Sequence, residues 1–257
     1  MVKKLIFVLA TTVSSFAFWW KLLPWINDPL RFQVTSVWLW PLVLFILLLA
    51  LTSLSFLLLP KSYRLALIFI NFLAFVIFFG TNQILLLGIA ISFLFQLVAV
   101  RAIDKEKENH LAFSFSSVLR PSVARLTTSL LILISFAYFL SYGVQASVNK
   151  KELPSSFQRT IQVLIGNYIG ENLEIQNPRL KAETSNQVIR QINTFLKPYF
   201  QFLPPILAFS LFLILQGLSF IFIWLAILLA LIIFSILKLT GLIKITKKPK
   251  EAEVITF

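Results

Sequence analysis

The sequence predicts an all-α protein: a polytopic transmembrane helical bundle of about six spans with a small two-helix extracytoplasmic region. Three observations carry this. Hydrophobic residues make up 58% of the 257, the mean hydropathy is +0.89, and the charged residues, only 13%, gather between long apolar runs. A soluble domain of this length cannot cover that much apolar surface with polar side chains. Charges on amphipathic surface helices recur every few positions, so runs free of them read as spans facing lipid or one another.

The formal charge of +13 does not call for nucleic acid. Lys and Arg beside spans orient a membrane protein and hold it to anionic headgroups, so the bilayer is the expected partner and nucleic acid is not. No cysteine is present, which excludes disulfides, thiolate nucleophiles and Cys-ligated metals.

Along the chain, Lys3 and Lys4 precede an uncharged stretch from Leu5 to Trp20. It has the form of a signal peptide or of a first anchor; Phe18-Trp19-Trp20, read as an interfacial aromatic belt, favours the anchor. Pro24, Asn27-Asp28-Pro29 and Arg31 are expected to break the helix. Val37 to Leu59 is the clearest span, stopped by Pro60 and Lys61. At about 1.5 Å per residue it reaches roughly 35 Å, enough for a hydrocarbon layer about 30 Å thick. Leu65 to Gly80 and Ile84 to Val100, joined only by Thr81-Asn82-Gln83, form the next pair.

Residues 101 to 125 read as a polar cytoplasmic loop, with Asp104-Lys105-Glu106-Lys107-Glu108 as a solvated helix start and Arg120-Pro121 as a break. Thr127 to Val148 is a fifth span, with Tyr138 and Tyr142 as interface anchors, and completes a five-span unit over residues 1–148. Between 149 and 203, Phe157, Ile161, Leu164, Ile165, Tyr168 and Ile169 recur at helical spacing, as do Val188, Ile192, Phe195, Leu196 and Tyr199. Two amphipathic helices are expected there, separated by a loop over Glu171 to Lys181, with Thr184 or Ser185 capping the second. Pro204-Pro205 opens a final apolar run (204–240), followed by a basic tail over 241–257. Its uncharged part ends at Leu237. That length is too long for one upright span and too short for two with a turn, so one long or kinked crossing is expected, bent at Gln216-Gly217; a hairpin is the alternative.

With one crossing there, fourteen of the 23 cations fall on the face of the termini and nine on the other. The excess places the termini in the cytoplasm, whereas seven spans would put the lysine-rich tail outside.

Chemistry-bearing patterns are sparse. His110, the only histidine, cannot build a histidine-ligated metal site, and Asp104, Glu106 and Glu108 lack the glycine turn of an EF-hand and sit among lysines. No Walker A, GxGxxG or GxSxG sequence is present. Neither a cofactor, a metal nor a catalytic residue is expected. Gly166 to Gly170 matches GxxxG but lies outside the apolar spans, where the pattern has little meaning.

The side chains that remain are polar ones in spans and apolar ones outside them. Asn71, Gln96 and Gln216 are expected to make interhelical polar contacts, since their amides are costly in lipid. Phe157, Ile161, Tyr168, Ile192, Phe195 and Tyr199 are the expected partner surface. The landmarks Asn27-Asp28-Pro29, Glu152-Leu153-Pro154, Pro204-Pro205 and Gly241-Leu242-Ile243-Lys244-Ile245 together resemble uncharacterised multi-spanning membrane proteins of ultrasmall candidate-phyla bacteria. The resemblance implies a multi-pass protein of a bacterial inner (cytoplasmic) membrane and supplies no catalytic residue. The expected function is a non-enzymatic, membrane-anchored interaction or assembly protein, in contact with another membrane or envelope protein. The alternative is a channel or carrier subunit for a small or uncharged solute, its path lined by polar span residues.

Overall fold

The structure is a computed structural model that describes residues 2–27, 29, 35–109, 114–172 and 178–241. His110, Asp28, Arg31, the centre of the loop after Glu171 and the basic tail from Leu242 lie outside the described residues, as do the side chains of Glu108 and Ile169.

Among the described residues every regular element is helical: α1 (Val2–Asn27), α2 (Thr35–Leu58), α3 (Lys61–Phe79), α4 (Gln83–Asn109), α5 (Phe115–Phe139), α6 (Tyr142–Lys150), α7 (Ser155–Asn172), α8 (Pro178–Leu196), a 3-10 stretch over Lys197–Phe202, α9 (Leu203–Gly217) and α10 (Ser219–Leu239). Seven helical segments, counting joined helices as one, are long and apolar enough to cross a membrane.

Proline does not end the helices where the sequence led us to expect it. Pro24 lies inside α1 and Pro121 inside α5, which begins at Phe115. A membrane helix tolerates the lost hydrogen bond when neighbouring helices cover the freed carbonyl. The expected polar loop over 101–125 is likewise helical on both sides of residues 110–114. Asp104 to Glu108 is the last part of α4 and not the start of a new helix. The fifth span is shorter than Thr127 to Val148: α5 stops at Leu140, and the separate helix α6 follows. Tyr138 is buried in the core, while Tyr142 is exposed.

α5 is the central post. It packs along α4, and α9 and α10 follow one another down its other side. Phe139 and Pro205 line one groove, Thr128 meets Gln216, Arg120 lies 5.9 Å from the Trp224 ring centroid, and the Phe115 and Phe234 rings are 4.7 Å apart. As numbers fall on α5 they rise on α9 and then α10, so the chain continues in one direction through Gly217. Leu218 keeps near-helical backbone angles (φ −84°, ψ −6°) and its N–H still reaches the Ile214 carbonyl. The helical hydrogen bonding thus continues across the joint.

α1, α2 and α3 form the second half. Trp19 has no exposed surface and packs between Phe18 and the edges of Phe75 and Phe79. The expected aromatic belt is therefore a single residue: Trp20 is exposed, with Lys21 Nζ 4.5 Å above its ring, whereas Phe18 and Trp19 belong to the core. In the other region the two helices expected from the periodicity, α7 and α8, form an antiparallel pair. Gln162 donates to Asn186 Oδ1 at 3.0 Å, and the Leu153 N–H donates to Asn193 Oδ1 at 3.0 Å. α8 starts at Pro178, where proline is suited to the first turn, so Thr184 and Ser185 are interior residues and not caps.

Candidate functional site: polar seams, two apolar grooves and an exposed hairpin

Within the bundle several polar side chains bond one another across helices. Asn71 on α3 accepts from Ser15 Oγ at 2.8 Å and from Trp19 Nε1 at 3.1 Å, both on α1. Its expected interhelical contact is thus present, with Trp19 as a partner that composition alone did not reveal. Thr11 and Ser55 share a hydrogen bond of 2.9 Å between α1 and α2. Ser92 and Ser129 exchange hydroxyl-to-carbonyl bonds between α4 and α5, at 3.0 and 3.1 Å. One turn from Ser92, Gly88 lets the helices meet: a Cβ there would stand 2.7 Å from Phe136 Cγ.

The other two expected amides behave differently. Gln216 only reaches Thr128, at 3.5 Å, the outer limit of a hydrogen bond. Gln96 is 1% exposed, and neither amide atom has a partner among the described residues. The Ser122 hydroxyl, on the neighbouring helix α5, is also buried without one. By contrast Gly166, the first glycine of the GxxxG pattern, has open space around it and makes no close helix approach.

At the end of the bundle shared by the α2–α3 and α4–α5 turns lies a charged cluster that sequence reasoning missed. Arg64 is buried, its Nη1 2.7 Å from Asp104 Oδ1 and its Nε 2.6 Å from the Leu59 carbonyl. Lys107 donates to the Leu57 carbonyl. Two cations thus satisfy the free carbonyls at the C-terminus of α2, where the helix dipole is negative. Asp104 Oδ1 is taken by Arg64. The pair is forty residues apart in sequence, so only the packing of α3 against α4 could disclose it.

Two grooves open near the opposite end. One, of about 270 Å³, runs among α1, α2, α5 and the α9–α10 joint, past Leu22, Trp38, Phe45, Leu131 and Leu215. The other, of about 370 Å³, lies between α4, α5 and α9. Both linings are almost wholly carbon, apart from the Trp25 and Trp38 indoles in the first and Ser135 in the second, whose hydroxyl is bonded to Leu131 O. α9 therefore stands on α5 with an apolar groove on each flank.

The expected partner surface divides in two. Phe157, Ile161 and Ile192 are half-buried and pack inward, joined by the buried Ile189. They are half-buried because they pack against the bundle's core. Tyr168 (66% exposed), Phe195 (76%) and Tyr199 (56%) face outward, together with Leu164.

The chain matches no protein-family description, no curated protein and no solved structure.

Proposed function

We propose that the protein is a non-enzymatic, membrane-anchored interaction or assembly protein whose α7–α8 hairpin meets a partner in the membrane or envelope. One observation carries this reading. While Phe157, Ile161 and Ile192 pack against the bundle's core, Tyr168, Leu164 and Phe195, with Tyr199 just after α8, stay exposed. Tyr168 stands toward one end of the pair and Phe195 and Tyr199 toward the other, and exposed aromatic side chains of this kind serve as anchors for a partner. The bundle is the anchor: six crossings, the last formed by α9 and α10 together, with the termini in the cytoplasm and the hairpin outside. The unreversed course of α9 and α10 along α5 and the cation excess at the termini face support that count. A bacterial inner membrane fits the resemblance carried by Asn27-Asp28-Pro29 and Pro204-Pro205.

The test is a double substitution, Tyr168→Ser with Phe195→Ser, in tagged protein. It should release a co-purifying partner while leaving thermal unfolding of the bundle in place. A full set of co-purifying proteins retained by this variant sinks the reading.

A second reading, a channel or carrier subunit for a small uncharged solute, draws support from Gln96 and Ser122, whose buried polar atoms are unpaired among the described residues. Gradient-driven solute flux in proteoliposomes that Gln96→Leu abolishes would favour it over the first.

A further inference from the structure

We infer that Arg120 and Arg125 on α5 seat the phosphodiester of an anionic phospholipid, whose acyl chain continues along the α4–α5–α9 groove. The inference is independent of the hairpin's partner and of which side of the membrane the termini occupy. Cations that merely flank a span stand past its apolar run. These two stand beside one. The Arg120 Cζ is 5.9 Å from the Trp224 ring centroid, and Trp224 comes fourteen residues before Lys238, the next charge on α10. That is about 21 Å of uncharged helix. Arg125 is five residues deeper on α5 and three before Thr128, whose hydroxyl approaches Gln216 near the α9–α10 joint.

No carboxylate offsets them. α5, α9 and α10 carry no Asp or Glu, Asp104 Oδ1 is taken by Arg64, and neither arginine makes an ion pair among the described residues. Arg120 has the Trp224 ring, and Arg125 donates to Pro121 O at 3.1 Å. Each guanidinium carries five N–H donors, so most of theirs are left for an outside acceptor. Both can be reached, since Arg120 is exposed and Arg125 half-buried. The bond to Pro121 turns the Arg125 guanidinium back toward the α4–α5 turn, as a cation reaching for the headgroup layer turns. A charge beside an apolar helix is costly unless paired, and the anion a bilayer offers there is lipid phosphate.

The neighbouring surface decides for a whole lipid over a free phosphate. Arg125, Thr128 and Ile132 follow at spacings of three and four, a single stripe of α5. Ile132 then lines the groove of about 370 Å³ with Ile91, Phe136 and Phe212. From Arg125 to Ser135, a further lining residue, is ten residues or about 15 Å, the depth of one leaflet's hydrocarbon. A free phosphate leaves that carbon wall bare, and an acyl chain covers it. Arg101 is an internal control. Ser92 pairs with Ser129, so nine residues nearer the α4–α5 turn Arg101 is level with Arg120. It is exposed on the other face of α4 from the buried Ala99 and Ile103, away from the stripe.

The experiment is native mass spectrometry of the full chain in detergent with dioleoyl-phosphatidylglycerol, dioleoyl-phosphatidylcholine and glycerophosphoglycerol, the first headgroup without its chains. Phosphatidylglycerol should bind most tightly and glycerophosphoglycerol not measurably. Arg120→Gln and Arg125→Gln should each weaken phosphatidylglycerol about fivefold, the worth of one arginine near a charged lipid surface, while Arg101→Gln leaves it unchanged. Ile132→Trp fills the groove and should weaken both lipids alike; should that variant fail to fold, Ile91→Trp fills it from α4. Equal losses from Arg101→Gln and Arg125→Gln, or a phosphatidylglycerol affinity that survives both α5 substitutions, overturns the inference and leaves unspecific headgroup contact. Glycerophosphoglycerol binding as tightly as the lipid overturns it too, in favour of a soluble anion.

Discussion

Replacing Asn71 by Leu removes the oxygen that, among the described residues, joins α3 to α1 by hydrogen bonds. Ser15 Oγ and Trp19 Nε1 both donate to it, at 2.8 and 3.1 Å. The two donors differ in what they do next. Ser15 can turn its hydroxyl to the carbonyl four residues back on α1, as Thr11 does with Phe7 O at 2.8 Å. The Trp19 indole is fully buried among Phe18, Phe75 and Phe79 and has no such recourse. An orphaned buried donor costs about 1–3 kcal/mol, while interhelical hydrogen bonds within membranes average about 0.6 kcal/mol. The net loss for Asn71→Leu should therefore be about 1–2 kcal/mol, offset in part by the leucine's better fit to an apolar seam. Ser15→Ala should cost at most about 0.6 kcal/mol. The double variant should be no worse than Asn71→Leu alone, because the partner is already gone. Denaturant titration in micelles, followed by tryptophan fluorescence, measures all three. Unchanged stability of Asn71→Leu, or full additivity in the double variant, would refute the account of this seam.

Three further outcomes are expected. Asp104→Asn should destabilise the detergent-solubilised bundle by roughly 1–3 kcal/mol, because it leaves Arg64 buried without its carboxylate, and Arg64→Met with Asp104→Met should recover part of that loss. Gly88→Ala should lower stability by about 1–3 kcal/mol through the clash with Phe136, whereas Gly166→Ala and Gly217→Ala, which meet open space, should be tolerated; thermal unfolding of the three variants decides. Cysteines at Lys4, Tyr168 and Thr240, in a chain without native cysteine, should react with an impermeant thiol reagent from outside intact cells only at Tyr168, and external labelling at Thr240 would exclude six crossings.

The sequence disclosed what depends on local pattern. Long uncharged runs gave the spans, period 3.6 gave α7 and α8, and an amide inside an apolar run marked Asn71 as an interhelical contact. What it hid depends on which side of a helix meets which neighbour. Trp19 and Trp20 are adjacent and chemically identical, yet one is sealed in the core and the other faces out. Serine and threonine in spans looked uniform, although Ser15, Ser92, Ser129 and Thr11 join helices while Ser135 bonds only its own. Arg64 and Asp104 each read as ordinary flanking charges, because nothing local marks one as the other's partner. The prolines misled for a related reason: in water Pro24 and Pro121 would end a helix, but in a packed bundle continuing it is the lesser cost. Among the predicted partner residues, periodicity found both stripes of the hairpin but could not tell the residues that pack on the bundle's core from those left outside.

That last division bears on the central claim, that the outer face of the hairpin meets a protein. A photo-cross-linking residue placed at Tyr168, Phe195 or buried Ile189 of the full chain, irradiated in intact cells, reads it directly. Discrete protein adducts from Tyr168 and Phe195, with none from Ile189, are the predicted result. Adducts to lipid alone from the two exposed positions would contradict it, and would make the hairpin a structure resting on the membrane surface.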